Sequence, residues 1–124
     1  MENTKFRAWL KRNKEMTKPF LLKDIIWDCE GFTERCIDQM EIMQFTGLLD
    51  CSGKEIYESD IVKVNGWNGL NVVKYYKQWA GFGLDGSKWK TNYIRTPFFD
   101  NERIKVKYEI IGNIYQDKNL LNNL

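Results

Sequence analysis

Four carboxylates stand close together in the chain: Asp50, Glu55, Glu58 and Asp60. Clustered carboxylates hold Mg²⁺ in nucleases and phosphoryl-transfer enzymes, so metal-dependent chemistry is the first to weigh. Their spacing matches no defined ligand pattern. Ser52 and Ser59 lie among them, and short polar side chains in such a run bond the local backbone and shape turns. Solvation and local hydrogen bonds account for the cluster, so no metal ligand is assigned. Asp60 is expected to anchor the turn that launches an extended segment at Ile61, with Gly53 supplying the turn before it. The chain has no histidine. That removes every Ser-His or Cys-His nucleophile pair and the usual acid–base group near neutral pH. Cys29, Cys36 and Cys51 are odd in number, form no CxxC and lack a histidine partner for zinc, so they read as reduced thiols. No phosphate-binding glycine loop precedes a helix. A protein without catalysis, metal or cofactor is expected.

A second constellation is basic and aromatic. Lys74, Lys77, Lys88, Lys90 and Arg95 are interleaved with Tyr75, Tyr76, Trp79, Trp89 and Tyr93. On a small barrel such a stretch can grip a single-stranded nucleic acid, with bases stacked on rings. Strand alternation yields the same pattern with rings packed and lysines solvated. Packing is the favoured reading and nucleic-acid binding the alternative.

The elements that position these residues follow from periodicity. Phe6, Ala8 and Leu10 alternate with Arg7, Trp9 and Lys11, the period of a strand, and a polar loop follows as far as Pro19. Phe20–Leu22 and Ile25–Trp27 read as short strands, residues 32–42 as a short helix running into a strand around Met43. From Asp60 onward the pattern is all-β, with strands expected near 60–65, 71–77, 80–85, 92–96 and 104–115. Gly66-Trp67-Asn68-Gly69 forms a hairpin turn, Gly112 bends the last strand, and one turn of helix is expected after Gln116 with Asp117 as its cap. Strands this short, with a turn every ten residues or so, point to a small, strongly bent barrel.

A resemblance enters with the central residues. Phe45-Thr46-Gly47-Leu48, Gly53-Lys54-Glu55-Ile56-Tyr57-Glu58 and Asp60-Ile61-Val62 resemble the hallmark of the YopX family, small proteins encoded by phages and prophages, mostly of Gram-positive bacteria. Lys5-Phe6-Arg7-Ala8-Trp9, with Met16 beyond, is similar to the family's opening. Glu109-Ile110-Ile111-Gly112-Asn113-Ile114-Tyr115, with Leu120-Leu121, is similar to its close. Ser59 stands where the family usually has Gly, and Leu10 where an acidic residue is common. The resemblance implies a small β-barrel-like C-terminal part with an N-terminal β-rich extension; it brings no activity with it. Together with the residue pattern it gives a mainly β chain with little helix: a β-rich extension with a charged arm over 1–54 and an SH3-like barrel over 55–124. The expected function is that of a non-catalytic phage or prophage accessory protein in the bacterial cytoplasm, acting through protein–protein contacts.

Charge and composition bear on partners. Residues 19–62 carry three basic and ten acidic side chains, a net of −7, whereas residues 63–107 carry nine basic and three acidic, a net of +6. Complementary segments of this kind can neutralise each other within one fold or meet across an interface. Aromatic residues make up 15% of the chain, more than a small domain with a high surface-to-volume ratio hides easily. A homo-oligomer is therefore expected, with Trp9, Phe98 and Phe99 as contact candidates and with a strand at Phe6–Leu10 that has no evident hairpin partner. No apolar run reaches the roughly 20 residues a membrane helix needs, and the charged N-terminus does not read as a signal peptide.

Overall fold

The computed structural model describes residues 4–21, 40–66, 69–86, 95–97 and 107–122. Among them the chain forms ten strands and one short helix: β1 (Lys5–Leu10), β2 (Glu15–Met16), β3 (Phe20–Leu21), β4 (Met40–Leu49), β5 (Glu55–Tyr57), β6 (Asp60–Val64), β7 (Asn71–Tyr76), β8 (Gly81–Asp85), β9 (Arg95–Pro97), β10 (Tyr108–Asn113) and α1 (Lys118–Asn122). The fold is mainly β. Of the helix expected over 32–42, residues 32–39 lie outside the described residues and the last three are instead the start of β4; the strand at Ile25–Trp27 also lies outside them. Two compact units result, Met1–Phe45 and Thr46–Leu124, with the division falling inside β4; the sequence reading places it at 54/55.

In the first unit β1 is paired along both edges, which corrects the expectation of an unpartnered strand. One edge runs antiparallel to β4, from Phe6 opposite Gln44 to Leu10 opposite Met40. The other edge takes β2 (Trp9 opposite Met16) and β3 (Phe6 opposite Phe20). Lys14 explains the missed partner. It adopts a left-handed φ of 54° and its N–H donates to the Leu10 carbonyl at 2.7 Å, so the supposed polar loop folds straight back as a hairpin. Between β2 and β3 the Thr17 hydroxyl accepts the Ala8 N–H at 2.9 Å, filling the gap in the ladder. Ala8 and Met43 are buried, and Phe6 stacks on Phe20 at 6.3 Å.

In the second unit β6, β7, β8 and β9 form an antiparallel meander, and β10 returns to the free edge of β6. A meander whose last strand pairs with its first is the connectivity of a small, strongly bent SH3-like barrel. Ile56, Val62, Val64, Val73, Leu84 and Tyr108 fill its core, with Leu48 and Ile110 packed against them. These are strand-favouring side chains on alternate positions, which is why the elements form where they do. The register of β10 shifts between Ile110 and Gly112, the bend anticipated at Gly112. There is no room for a side chain at Gly112, because a Cβ would strike the Asp117 carboxylate. That carboxylate does not cap α1, as the sequence reading expects. It turns back to accept the Asn113 N–H at 3.0 Å, while the Asn113 side-chain oxygen accepts the N–H groups of Tyr115 and Gln116. Thr46-Gly47 forms an irregularity inside β4: Gly47 has a φ of 89° and the Leu48 N–H goes to the Thr46 hydroxyl.

Two acidic turns hold this unit together. Asp50 Oδ1 accepts the N–H groups of Ser52 and Lys54, each at 2.9 Å, and its Oδ2 accepts the Ile110 N–H at 3.2 Å. The neighbouring Cys51 N–H donates to the Tyr108 carbonyl at 2.8 Å. The β4–β5 turn is thus stitched to β10, which is why the end of β4 and the whole of β5 belong with the barrel unit. At the second turn Asp60, 2% exposed, accepts the Tyr57 N–H at 2.8 Å. Ser59 beside it has a left-handed φ of 71°. Its N–H donates to the Val73 carbonyl at 2.8 Å and its own carbonyl accepts the Ile114 N–H at 3.0 Å, so the strained residue bridges two strands.

Three outcomes are expected. Ser59→Gly relieves the left-handed backbone and raises stability by roughly 0.5–1 kcal/mol, seen as a higher urea midpoint. Asp60→Ala leaves the buried Tyr57 N–H unsatisfied and lowers stability by ~1–2 kcal/mol in the same assay. For Asp50, burial pushes the carboxyl up, but the N–H groups of Lys54, Ile110 and Ser52 and the Ser52 hydroxyl outweigh it and hold the group below its ordinary value of 3.8. A depressed folded-state value means that the stabilisation is complete above the unfolded value and is lost as pH falls through the folded one. Thermal midpoints of the wild type should therefore drop on acidification through this range, and Asp50→Asn should flatten that part of the profile.

Candidate functional site

The residues singled out for chemistry mostly serve the fold. Asp50 and Asp60 spend carboxylate oxygens on backbone N–H groups. Among the described residues no group of three or more Cys, Asp or Glu is gathered as a metal would require. Gly53 adopts a φ of 86° and donates its N–H to the Asp50 carbonyl, closing the β4–β5 turn.

The basic–aromatic stretch divides in the same way. Lys74 is exposed but forms an ion pair with Asp85 at 2.8 Å. Trp79 is half-buried and lies against Tyr76 with ring centroids 4.4 Å apart; its Nε1–H donates to the Phe82 carbonyl at 3.3 Å. Both are the packing reading of that stretch. Lys77 is exposed, and Tyr75 stands 51% exposed with its ring edge-on to Phe82 at 5.5 Å. Arg95 begins the register of β9 opposite Asp85. Lys88, Trp89 and Lys90 lie outside the described residues, as do Phe98 and Phe99. Trp9 is half-buried in β1, opposite Met16 on one side and Glu41 on the other.

What the structure does assemble is a groove of about 330 Å³ on the outer face of β6 and β10, lined by Cys51, Lys63, Asn65, Gly66, Lys107, Tyr108 and Glu109. Its floor follows from register. Val62, Val64 and Tyr108 point into the core, so Lys63 on β6, Asn65 just after it, Lys107 just before β10 and Glu109 on β10 face outward. Lys63 is opposite Glu109. Asn65 is tied to Lys107 twice: its N–H donates to the Lys107 carbonyl at 3.1 Å, and its side-chain oxygen accepts the Lys107 N–H at 2.6 Å. The Cys51 thiol is exposed at the edge, held there by the bond from its N–H to Tyr108. Sequence reading missed this group. Lys63 and Lys107 lie at opposite ends of the basic segment, and only the return of β10 to β6 brings them together. The available signal was the alternation on each strand, with Lys63 between buried valines.

The comparisons with known proteins agree with this architecture. No curated protein matches the chain. Among solved structures it is similar to the crystal structure of protein EF1440 from Enterococcus faecalis, with a TM-score of 0.60 at 21% identity over 98% of this chain and 99% of that one. At that identity the likeness is one of fold. The YopX protein family matches residues 5–122. That span opens on the first residue of β1 and ends on the last of α1, so the extension and the barrel alike are the family's own, and the chain belongs to the YopX family.

Proposed function

We propose that this chain is a non-catalytic accessory protein of a phage or prophage, working in the bacterial cytoplasm through protein–protein contacts, the first of them with a second copy of itself. Family membership supports the phage setting. The absence of histidine, and the use of Asp50 and Asp60 to hold turns, support a role without catalysis. Among the described residues no helix is long and apolar enough to cross a membrane.

The observation that carries the reading is apolar surface on the barrel unit. Leu49 is 56% exposed and Ile111 38% exposed, in a unit whose other strand apolar residues largely fill the core. Leu49 precedes Asp50 and Ile111 follows Ile110, the two residues joined by the Asp50–Ile110 hydrogen bond. Exposed aliphatic groups of this size favour a covered contact. Leu49 and Ile111 join Trp9, Phe98 and Phe99 as candidates for the contact. Complementary charge along the chain supports a self-contact as well.

Sedimentation equilibrium over a micromolar concentration range tests this. The expected mass is a multiple of 14.8 kDa for the wild type, and it should fall toward the monomer in Leu49→Lys and Ile111→Lys. A wild-type mass that stays at 14.8 kDa at every concentration refutes the self-contact.

A further inference from the structure

The groove between β6 and β10 holds more positive charge than the fold uses. Lys63 is opposite Glu109, and Lys107 lies one pair further along, beside Asn65. The two lysines are therefore diagonal neighbours on one face of an antiparallel pair, close enough for long side chains to reach a common point. Among the described residues neither ammonium forms an ion pair, whereas Lys11 and Lys74 on other strands do. Glu109, opposite Lys63, offsets one of the two charges, and an anion placed between the lysines offsets the other.

The neutral groups of the lining are arranged for the same purpose. The Asn65 oxygen is occupied by the Lys107 N–H, which leaves its NH₂ as the donor still available in the lining. Glu109 is the one acid there, cross-strand from Lys63, so the cations outnumber it.

We propose that this groove binds a phosphate group. Lysine is a point-charge partner for phosphate, and two ammonium groups match its dianion. Lys63 and Lys107 supply the charge, and Asn65 supplies a hydrogen bond that fixes the anion's orientation. The phosphate belongs either to a free nucleotide-like ligand or to a nucleic-acid backbone; both present the same chemistry to the groove.

Cys51 on the lining makes the test direct. In a Cys29→Ser, Cys36→Ser background its thiol is the only one in the chain. The thiolate attacks an aromatic disulfide, forms a mixed disulfide and releases the aromatic thiolate, whose absorbance gives the rate. Two reagents are compared, the doubly anionic dithiobis-nitrobenzoate and a neutral dipyridyl disulfide. Inorganic phosphate, at ionic strength matched with chloride, should slow the anionic reagent well beyond what chloride does. Lys63→Gln and Lys107→Gln should each weaken that protection by roughly fivefold, the scale of one exposed charge pair. They should leave the rate with the neutral reagent unchanged. Thermal midpoints of the two variants, expected to equal the parent's because both side chains are exposed, exclude lost folding as the cause. Thymidine monophosphate and oligothymidylate complete the series. Equal protection per phosphate identifies a free ligand, and much stronger protection by the oligonucleotide identifies a backbone. Phosphate protecting no better than chloride, or protection that survives both lysine substitutions, overturns the site.

Discussion

Taking a carboxylate out of water is unfavourable unless hydrogen-bond donors replace the water it loses. Asp50 is buried, and its two oxygens are met by N–H groups from its own turn and from Ile110, sixty residues further along the chain. That single demand joins the β4–β5 turn to the closing strand of the barrel. With the Cys51–Tyr108 bond beside it, the turn lies against the backbone of β10 that β6 leaves free. The wall of the groove and the position of the Cys51 thiol follow from it.

The remaining irregular residues solve one problem, how to turn tightly while keeping every strand end bonded. Ser59 accepts a left-handed backbone so that its N–H and carbonyl reach Val73 and Ile114. Asp60 satisfies Tyr57 from below the same turn. At the far end of the unit, Gly112 gives way to the Asp117 carboxylate, and Asn113 gathers the turn that leads into α1. Asp60, Gly47 and Gly53 of the family hallmark are therefore spent on backbone geometry.

The surface of the barrel unit is produced by alternation. Each core valine on β6 leaves the next residue outside, and the return of β10 sets Lys107 and Glu109 alongside Lys63 and Asn65. On β7 and β8 the same rule works against exposure: Tyr76 is covered by Trp79, and Lys74 is neutralised by Asp85. Two basic stretches that look alike in the sequence thus end in different electrostatic states.

Local pattern alone determined the strands, because period-two alternation and β-branched residues act over a few positions. The strands from Asp60 to Asp85 and at Tyr108–Asn113, the bend at Gly112 and the anchoring turn at Asp60 were legible for that reason, and the family from its motifs. Pairing was not. The hairpin after Leu10 depends on Lys14 entering a left-handed conformation that its residue type does not announce. Asp117 looks like a helix cap, and only the bulge at Gly112 shows why its carboxylate turns the other way. The groove needed the pairing of β10 with β6, a contact between distant segments whose register is fixed by burial of the core and by the Asp50 bond to Ile110. Sequence specifies which face of each strand is apolar; which strands then share a face is decided by closing the barrel, and that is a property of the whole chain.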